Sequence, residues 1–217
     1  MFKVIYLLYL WSLKIIQKEM MRQVKLSSKT VVRWTEVFRN VCRKQMENEL
    51  TTKKIGGPGL TVEIDESLIS KRKYHRGRKQ SGQQWVVGGI CRETKDLFIV
   101  PVEKRDAPTL TTVILSHVQI GSTVMTDCWK AYGTLSDLRY VHQTVNHSTH
   151  FVDPTSGACT NYIENAWRWL KFGLFSTGTK KNKLNGYLFH YMWSKKYGGA
   201  DRFRNIVKHI ALHYPGR

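Results

Sequence analysis

Acidic residues are scarce in this chain: 16 Asp and Glu stand against 35 Lys and Arg, leaving a formal charge of +19 over 217 residues. Such an imbalance repels itself unless a polyanion or an anionic surface offsets it, and nucleic acid is the leading partner ahead of a ribosome-like or membrane-surface role. Cysteine is scarce too. Cys42, Cys91, Cys128 and Cys159 lie far apart with no C-x-x-C pair, so neither a zinc ribbon nor a compact disulfide framework is written here. They read as reduced, mostly buried thiols of an intracellular protein. No apolar run is long enough to span a bilayer: MFKVIYLLYLWSLKIIQ is interrupted by Lys3 and Lys14 and lacks a small-residue cleavage site. It reads as a core-facing helix rather than a signal-like segment, with no membrane partner. Internal repeats and low-complexity segments are absent as well. What is present, 41% hydrophobic and 12% aromatic residues, is enough for one well-buried domain and a small appendage.

Residues 1–50 carry helical periodicity. Leu13, Ile16, Met20 and Met21 recur at helical spacing, and LSSKTVVRWTEVFRNVC opens with Ser27 or Ser28 as N-cap ahead of Val31, Val32, Trp34, Val37 and Phe38. The pattern predicts a helix-turn-helix in which Lys29 and Arg33 face a DNA groove while the valines and Trp34 pack inward; two amphipathic helices with basic outer faces give the same pattern. TTKKIGGPG at 51–59 forbids regular structure and reads as an interdomain linker.

Beyond it, residues 60–217 read as an α/β domain. LTVEID alternates, with Val62 and Ile64 on one face and Glu63 and Asp65 on the other. WVVGGIC and LFIVPV form a hairpin through RETKD, APTLTTVILSHV is a crossover helix, STVMTD a fourth strand, WKAYGTL a short helical piece and YVHQTV a fifth strand. A polar loop then leads into the helix TNYIENAWRWLK, and two amphipathic helices follow, with Tyr187, Phe189 and Trp193 as core residues.

Two aspartates close predicted strands, Asp65 after LTVEI and Asp127 after STVMT. Aspartate is disfavoured in strands, so each either caps the turn that follows or works. Glu164 has a similar alternative, a capping box with Asn161 as N-cap. If strands one and four are parallel neighbours, joined by a right-handed crossover, their C-terminal ends share one edge and the two aspartates meet there. Glu164, on a helix packed against that sheet, completes a trio of carboxylates. Such groups repel unless divalent cations neutralise them, and oxygen ligands without histidine or cysteine point to Mg²⁺ or Mn²⁺. Two such ions suit in-line attack on a phosphodiester, a chemistry that accounts for both the acids and the positive charge.

IDES around Asp65, TDCWKAY around Asp127 and TNYIENAWRWLK around Glu164, with NHS at 146–148, resemble the catalytic blocks of Merlin-type DDE transposases and their bacterial insertion-sequence relatives. Thirty-six residues separate Asp127 from Glu164, within the range such enzymes favour. The resemblance spans roughly residues 10 to 200. It implies a ribonuclease H-like mixed sheet flanked by helices, with Asp65, Asp127 and Glu164 holding a pair of Mg²⁺ or Mn²⁺ ions. It also implies cleavage and strand transfer at DNA ends bearing terminal inverted repeats, by a homo-oligomer assembled on DNA. Similar proteins carry a helix-turn-helix where one is placed here, and many precede it with a cysteine-rich zinc segment that this sequence lacks, so an N-terminally shortened copy is expected. Localisation follows the host: the nucleus in a eukaryote, otherwise the cytoplasm or nucleoid. The rival readings are a transposase-derived DNA-binding protein without catalysis and a nuclease of the same fold.

On the TNYIENAWRWLK helix, Ile163, Ala166, Trp167 and Leu170 form an apolar stripe, while Glu164, Arg168 and Lys171 occupy the adjacent one. Lys171 reaches a DNA phosphate on this reading, and the resemblance favours a lysine there; the alternative is a solvated charge. KRKYHRGRK at 71–79 supplies Lys71, Arg72, Lys73, Arg76, Arg78 and Lys79 as a phosphate track, or else a nuclear localisation patch or solvated loop. His147, and less strongly His150, is a candidate to assist the scissile phosphate; loop histidines are otherwise surface residues.

Overall fold

The computed structural model describes residues 2–69, 84–145, 159–176 and 183–215. The chain forms two compact units, Met1–Glu49 with Asn185–Arg217, and Leu50–Leu184. This grouping departs from the expected one at both ends of the sheet domain. The C-terminal helices belong with the N-terminal ones, and the glycine-rich segment is part of the sheet unit rather than a linker.

In the helical unit, α1 (Phe2–Ser12), α2 (Gln17–Val24) and the greater part of α3 (Ser28–Thr52) join α6 (Leu184–Tyr197) and α7 (Arg202–His213). Leu7, Leu10, Trp11, Phe38, Trp193 and Ile206 are buried, Trp11 and Phe38 with ring centroids 5.4 Å apart. As expected, α1 buries one face. No described helix is long and apolar enough to cross a membrane. The predicted helical run through Leu13 and Ile16 is interrupted: Lys14 takes a left-handed φ of 60°, and Leu13 and Ile16 lie exposed between α1 and α2. Ser27 is the cap of α3, its Oγ accepting from the Thr30 N–H at 3.3 Å. Lys29 and Arg33 are exposed, but only part of the predicted inner face packs inward: Val31 and Phe38 are buried while Val32 and Val37 are exposed. The buried stripe instead runs Val31, Thr35, Phe38, Cys42 and Gln45, because a helix this long follows its 3.6-residue period rather than its richest apolar cluster. Of the predicted core aromatics of α6, Trp193 is buried, and Tyr187 and Phe189 are half-buried.

The sheet unit contains β1 (Thr61–Ile69), β2 (Gln84–Cys91), β3 (Leu97–Val102), β4 (Thr123–Asp127) and β5 (Val141–Val145) in the order β3-β2-β1-β4-β5. β1 to β3 form an antiparallel meander, and β1, β4 and β5 run parallel. With helices α4 (Ala107–His117) and α5 (Asn161–Ser176), this is the ribonuclease H-like arrangement that the resemblance implies. The crossover helix α4 starts where expected, with Asp106 as N-cap accepting from the Thr109 N–H at 3.1 Å and Pro108 in the first turn. Its apolar face, Leu110, Val113 and Ile114, packs with Val62, Ile64, Val87, Phe98 and Val124 into the main core. Each such side chain, fully buried, contributes on the order of 1.5–3 kcal/mol.

The segment at 51–59 is tied down by its backbone. Ile55 is buried, bridges in parallel to Val118, donates its N–H to His117 and accepts from Gln119. Gly56 sits at φ 81° against Ser122, whose Oγ lies 2.4 Å from where a Cβ would be. Glycine here allows the chain to pass a strand at close range.

Candidate active site

β1 is longer than predicted. Asp65 is therefore not a strand terminus; it pairs across to Gly88 of β2, and β1 continues to Ile69. On its other side β1 pairs with β4 only over Thr61–Glu63, against Thr123–Met125. Continuing that register by two residues brings Asp65 level with Asp127, the last residue of β4, where the parallel ladder opens.

Helix α5 packs on β1 and β2. Its apolar stripe is buried as predicted, Ile163, Ala166, Trp167 and Leu170 all being 5% exposed or less, while Glu164 and Arg168 are exposed and Lys171 half-buried. The Trp167 Nε1–H donates to Asp65 Oδ2 at 2.9 Å, and the Glu66 backbone N–H to Oδ1 at 2.8 Å. Asp127 Oδ1 accepts from the Trp129 N–H at 3.1 Å, so its turn-capping role is real and coexists with its place at the strand edge. Glu164 Oε1 accepts from the Thr160 hydroxyl at 2.9 Å, and Thr160, not Asn161, holds the N-cap position, its carbonyl accepting from the Glu164 N–H at 3.0 Å.

A second carboxylate, Glu63, caps this end of α5. This carboxylate is fully buried, its Oε2 accepting from the N–H groups of Tyr162 and Ile163 at 2.8 and 3.0 Å. Its Oε1 accepts from Arg92 Nε at 2.6 Å, and Arg92 in turn donates to the Cys159 carbonyl at 2.8 Å. A negative charge thus satisfies two orphan donors at the positive end of α5 and fixes where Glu164 stands relative to β1. The only hint in the sequence was alternation: Glu63 shares a strand face with Asp65.

Electrostatically the acids feel one another. Burial drives the Asp65 carboxyl up to about 6 against the pull of its two hydrogen bonds, and the charges of Asp127 and Glu164 add to the rise. Glu66, which the sequence reading did not single out, accepts a hydrogen bond from the Tyr132 hydroxyl, on the face opposite Asp65. Burial pushes it up to about 7, with Asp65 and Asp127 raising it further and Arg105 pulling it down. The donor set around Asp65 is all oxygen, carries excess negative charge and suits a hard divalent cation. As placed, however, no three Asp, Glu, His or Cys side chains among the described residues form a group that could hold a metal ion. The fold brings the three predicted acids into electrostatic reach, and protein donors occupy one or both oxygens of each.

The remaining candidates are dispersed. Lys29 and Arg33 belong to the helical unit. Lys71, Arg72, Lys73, Arg76, Arg78, Lys79, His147 and His150 lie outside the described residues. Cys42 and Cys91 are buried free thiols as expected, Cys159 is half-buried and Cys128 exposed.

A family model described as the ISXO2-like transposase domain matches residues 55–197. The chain belongs to this transposase family. The match opens at Ile55, within the sheet unit, and takes in all three acids. A transposase-like protein of Haemophilus influenzae is 31% identical over 98 residues, covering 45% of this transposase chain and 78% of that protein. Among solved structures, the HTLV-2 integrase catalytic core domain, in complex with magnesium, is similar at TM-score 0.40 and 12% identity, over 65% of this chain and 87% of that one. The Mos1 strand transfer complex is similar at TM-score 0.32 and 10% identity, over 92% and 74%.

Proposed function

We propose that this transposase-family protein is a metal-dependent DNA strand-transferase whose catalytic carboxylates are Asp65, Asp127 and Glu164. One observation supports the reading: the β1/β4 register at Thr61–Glu63, extended by two residues, puts Asp65 level with Asp127 where the parallel ladder opens, and Glu164 lies in the first turn of α5, a helix hydrogen-bonded to β1. Those three residues would hold two Mg²⁺ or Mn²⁺ ions, which supply Lewis acidity toward the phosphodiester and the leaving oxygen. The chain's own part is positional. Trp167 and the Glu66 amide orient Asp65, Glu63 anchors the helix that carries Glu164, and Lys171, on the same stripe, steadies a phosphate of the bound strand. The reaction is hydrolytic cleavage at element ends, followed by direct attack of the freed 3′-hydroxyl on target DNA, with no covalent enzyme intermediate. Terminal inverted repeats and target DNA are the substrates, a homo-oligomer the working form, and the 71–79 basic run and the Lys29/Arg33 face further DNA contacts.

The test is a plasmid assay. With supercoiled DNA and Mn²⁺ the wild type should nick and join strands, while Asp65→Asn and Asp127→Asn lose cleavage and keep DNA affinity within a few-fold, because the acids hold metal and the basic surface holds DNA. Equal cleavage by wild type and both variants overturns the site assignment. Binding without nicking in the wild type identifies a DNA-binding module, and nicking without joining a nuclease.

A further inference from the structure

We infer that Arg105 is a DNA-backbone contact: its guanidinium is held against two indoles beside the acidic opening, so that its N–H edges take a phosphate of the strand lying across Asp65 and Asp127. The inference rests on the DNA-processing reading above and adds a residue that no motif assigns.

The Arg105 Cζ lies 3.6 Å from the centroid of the Trp85 ring and 5.0 Å from that of Trp129. Both rings are anchored. Trp85 is a residue of β2, paired with Leu68 of β1 and Val102 of β3. Trp129 gives its backbone N–H to Asp127 and packs edge-on to Tyr132, whose hydroxyl holds Glu66. The backbone is anchored as well, since Arg105 immediately precedes Asp106, the N-cap of α4. The side chain is exposed and forms no ion pair with a carboxylate among the described residues. Through Trp129, whose backbone N–H goes to Asp127, it stands beside the C-terminal end of β4.

A solvated arginine on a flexible stem would lose rotamer freedom on binding; one already held over an indole has given most of it up. Stacking covers the faces of the guanidinium and leaves the in-plane fork of N–H groups, the geometry that matches a phosphate bidentately. A chain of charge +19 has no need of one more cation for solubility. An arginine held by two tryptophans, one of them bonded to Asp127, fits an anion that must be drawn toward that acid in spite of its negative field.

The test uses the full chain and a fluorescein-labelled duplex of arbitrary sequence, titrated by anisotropy at several KCl concentrations. Arg105→Ala should weaken binding several-fold at low salt and flatten the log–log salt slope by about 0.9, the value for one phosphate contact. Arg105→Lys should keep the slope and recover only part of the affinity. Trp85→Leu, which leaves the charge untouched, should match the lysine variant. Because Arg105 is exposed, all arginine variants should share the wild-type urea midpoint. Wild-type affinity and slope in Arg105→Ala overturn this inference while leaving the DNA-processing reading intact. Full recovery in Arg105→Lys overturns the stacked geometry, and a wild type that does not bind DNA removes both readings.

Discussion

Asp65 shows how much of a site is set by residues that do no chemistry. Its carboxylate is placed by the Trp167 indole, and the indole fits only because β2 carries glycine opposite Asp65. A Cβ on Gly88 would stand 2.5 and 2.9 Å from Trp167 ring carbons and 3.1 Å from the Phe98 carbonyl oxygen. None of these can retreat like the end of a flexible side chain, so Gly88→Ala should cost about 1–3 kcal/mol of overpacking, read as a lower urea midpoint. It should also move the indole off Asp65 and reduce cleavage more than the stability loss explains. Trp167→Phe is the companion variant: it keeps an aromatic ring but loses the N–H and part of the indole's volume, so stability falls by about 1–3 kcal/mol and cleavage falls further than that loss explains. In the sequence Gly88 was only a glycine in an apolar run. Its partner lies across a strand and a helix, and no local pattern records that.

At the scale of elements, the attachment of α5 to β1 decides whether Glu164 reaches the aspartates. Periodicity gave the helix and both of its stripes correctly, because i, i+4 and i+7 follow from helix geometry alone. The capping box with Asn161, kept as the alternative, has its N-cap one residue late: Thr160 holds that position, and the Tyr162 and Ile163 N–H groups go to Glu63, a remote partner that no local pattern records. Glu63→Ala would leave Arg92 and two helix N–H groups facing a gap in a buried region. Breaking such a buried pair costs about 3–5 kcal/mol. Hydrogen exchange should show the Tyr162 and Ile163 amides losing protection, and Glu63→Gln, which keeps an acceptor, should sit between the two. Unchanged protection at those amides in Glu63→Ala would remove the capping role. The strand limits tell a similar story. β1 outran its prediction because Glu66 and Ser67 are polar yet paired to Val87 and Val86, and a β2 neighbour stabilises residues that intrinsic preference alone would release.

Across the whole molecule, the two units call for separate stability probes, because a single two-state transition is not assured when independent units share a chain. The helical unit carries a pH dependence of its own. His190, stacked on Trp11 with centroids 4.8 Å apart and within 3.2 Å of Arg202 Nη2, is lowered to about 3 from 6.5, first by desolvation and then by the charges of Arg202, Arg39 and Lys14. A folded-state value below the unfolded one means that the unfolded chain takes up the proton first. This unit should therefore lose stability steadily as pH falls from about 6.5 toward 3, and be insensitive to His190 above that window. Urea midpoints between pH 8 and 4, followed by exchange of the α6 amides, should show the fall, and His190→Gln should flatten it.

Composition and periodicity were enough to establish a strongly basic chain, an α/β domain with strands and helices in their observed order, and Asp65, Asp127 and Glu164 as the acids to test. Those properties are local: net charge is a sum over residues, and amphipathic period and turn chemistry act within a few positions. Folding alone decided that the last two helices join the first three, that the glycine-rich stretch is pinned to the sheet unit, that Glu63 caps the end of α5, and that Arg105 comes to rest on Trp85 and Trp129. Each of these is a contact between residues far apart along the chain, where many partners are chemically equivalent and only close packing selects among them.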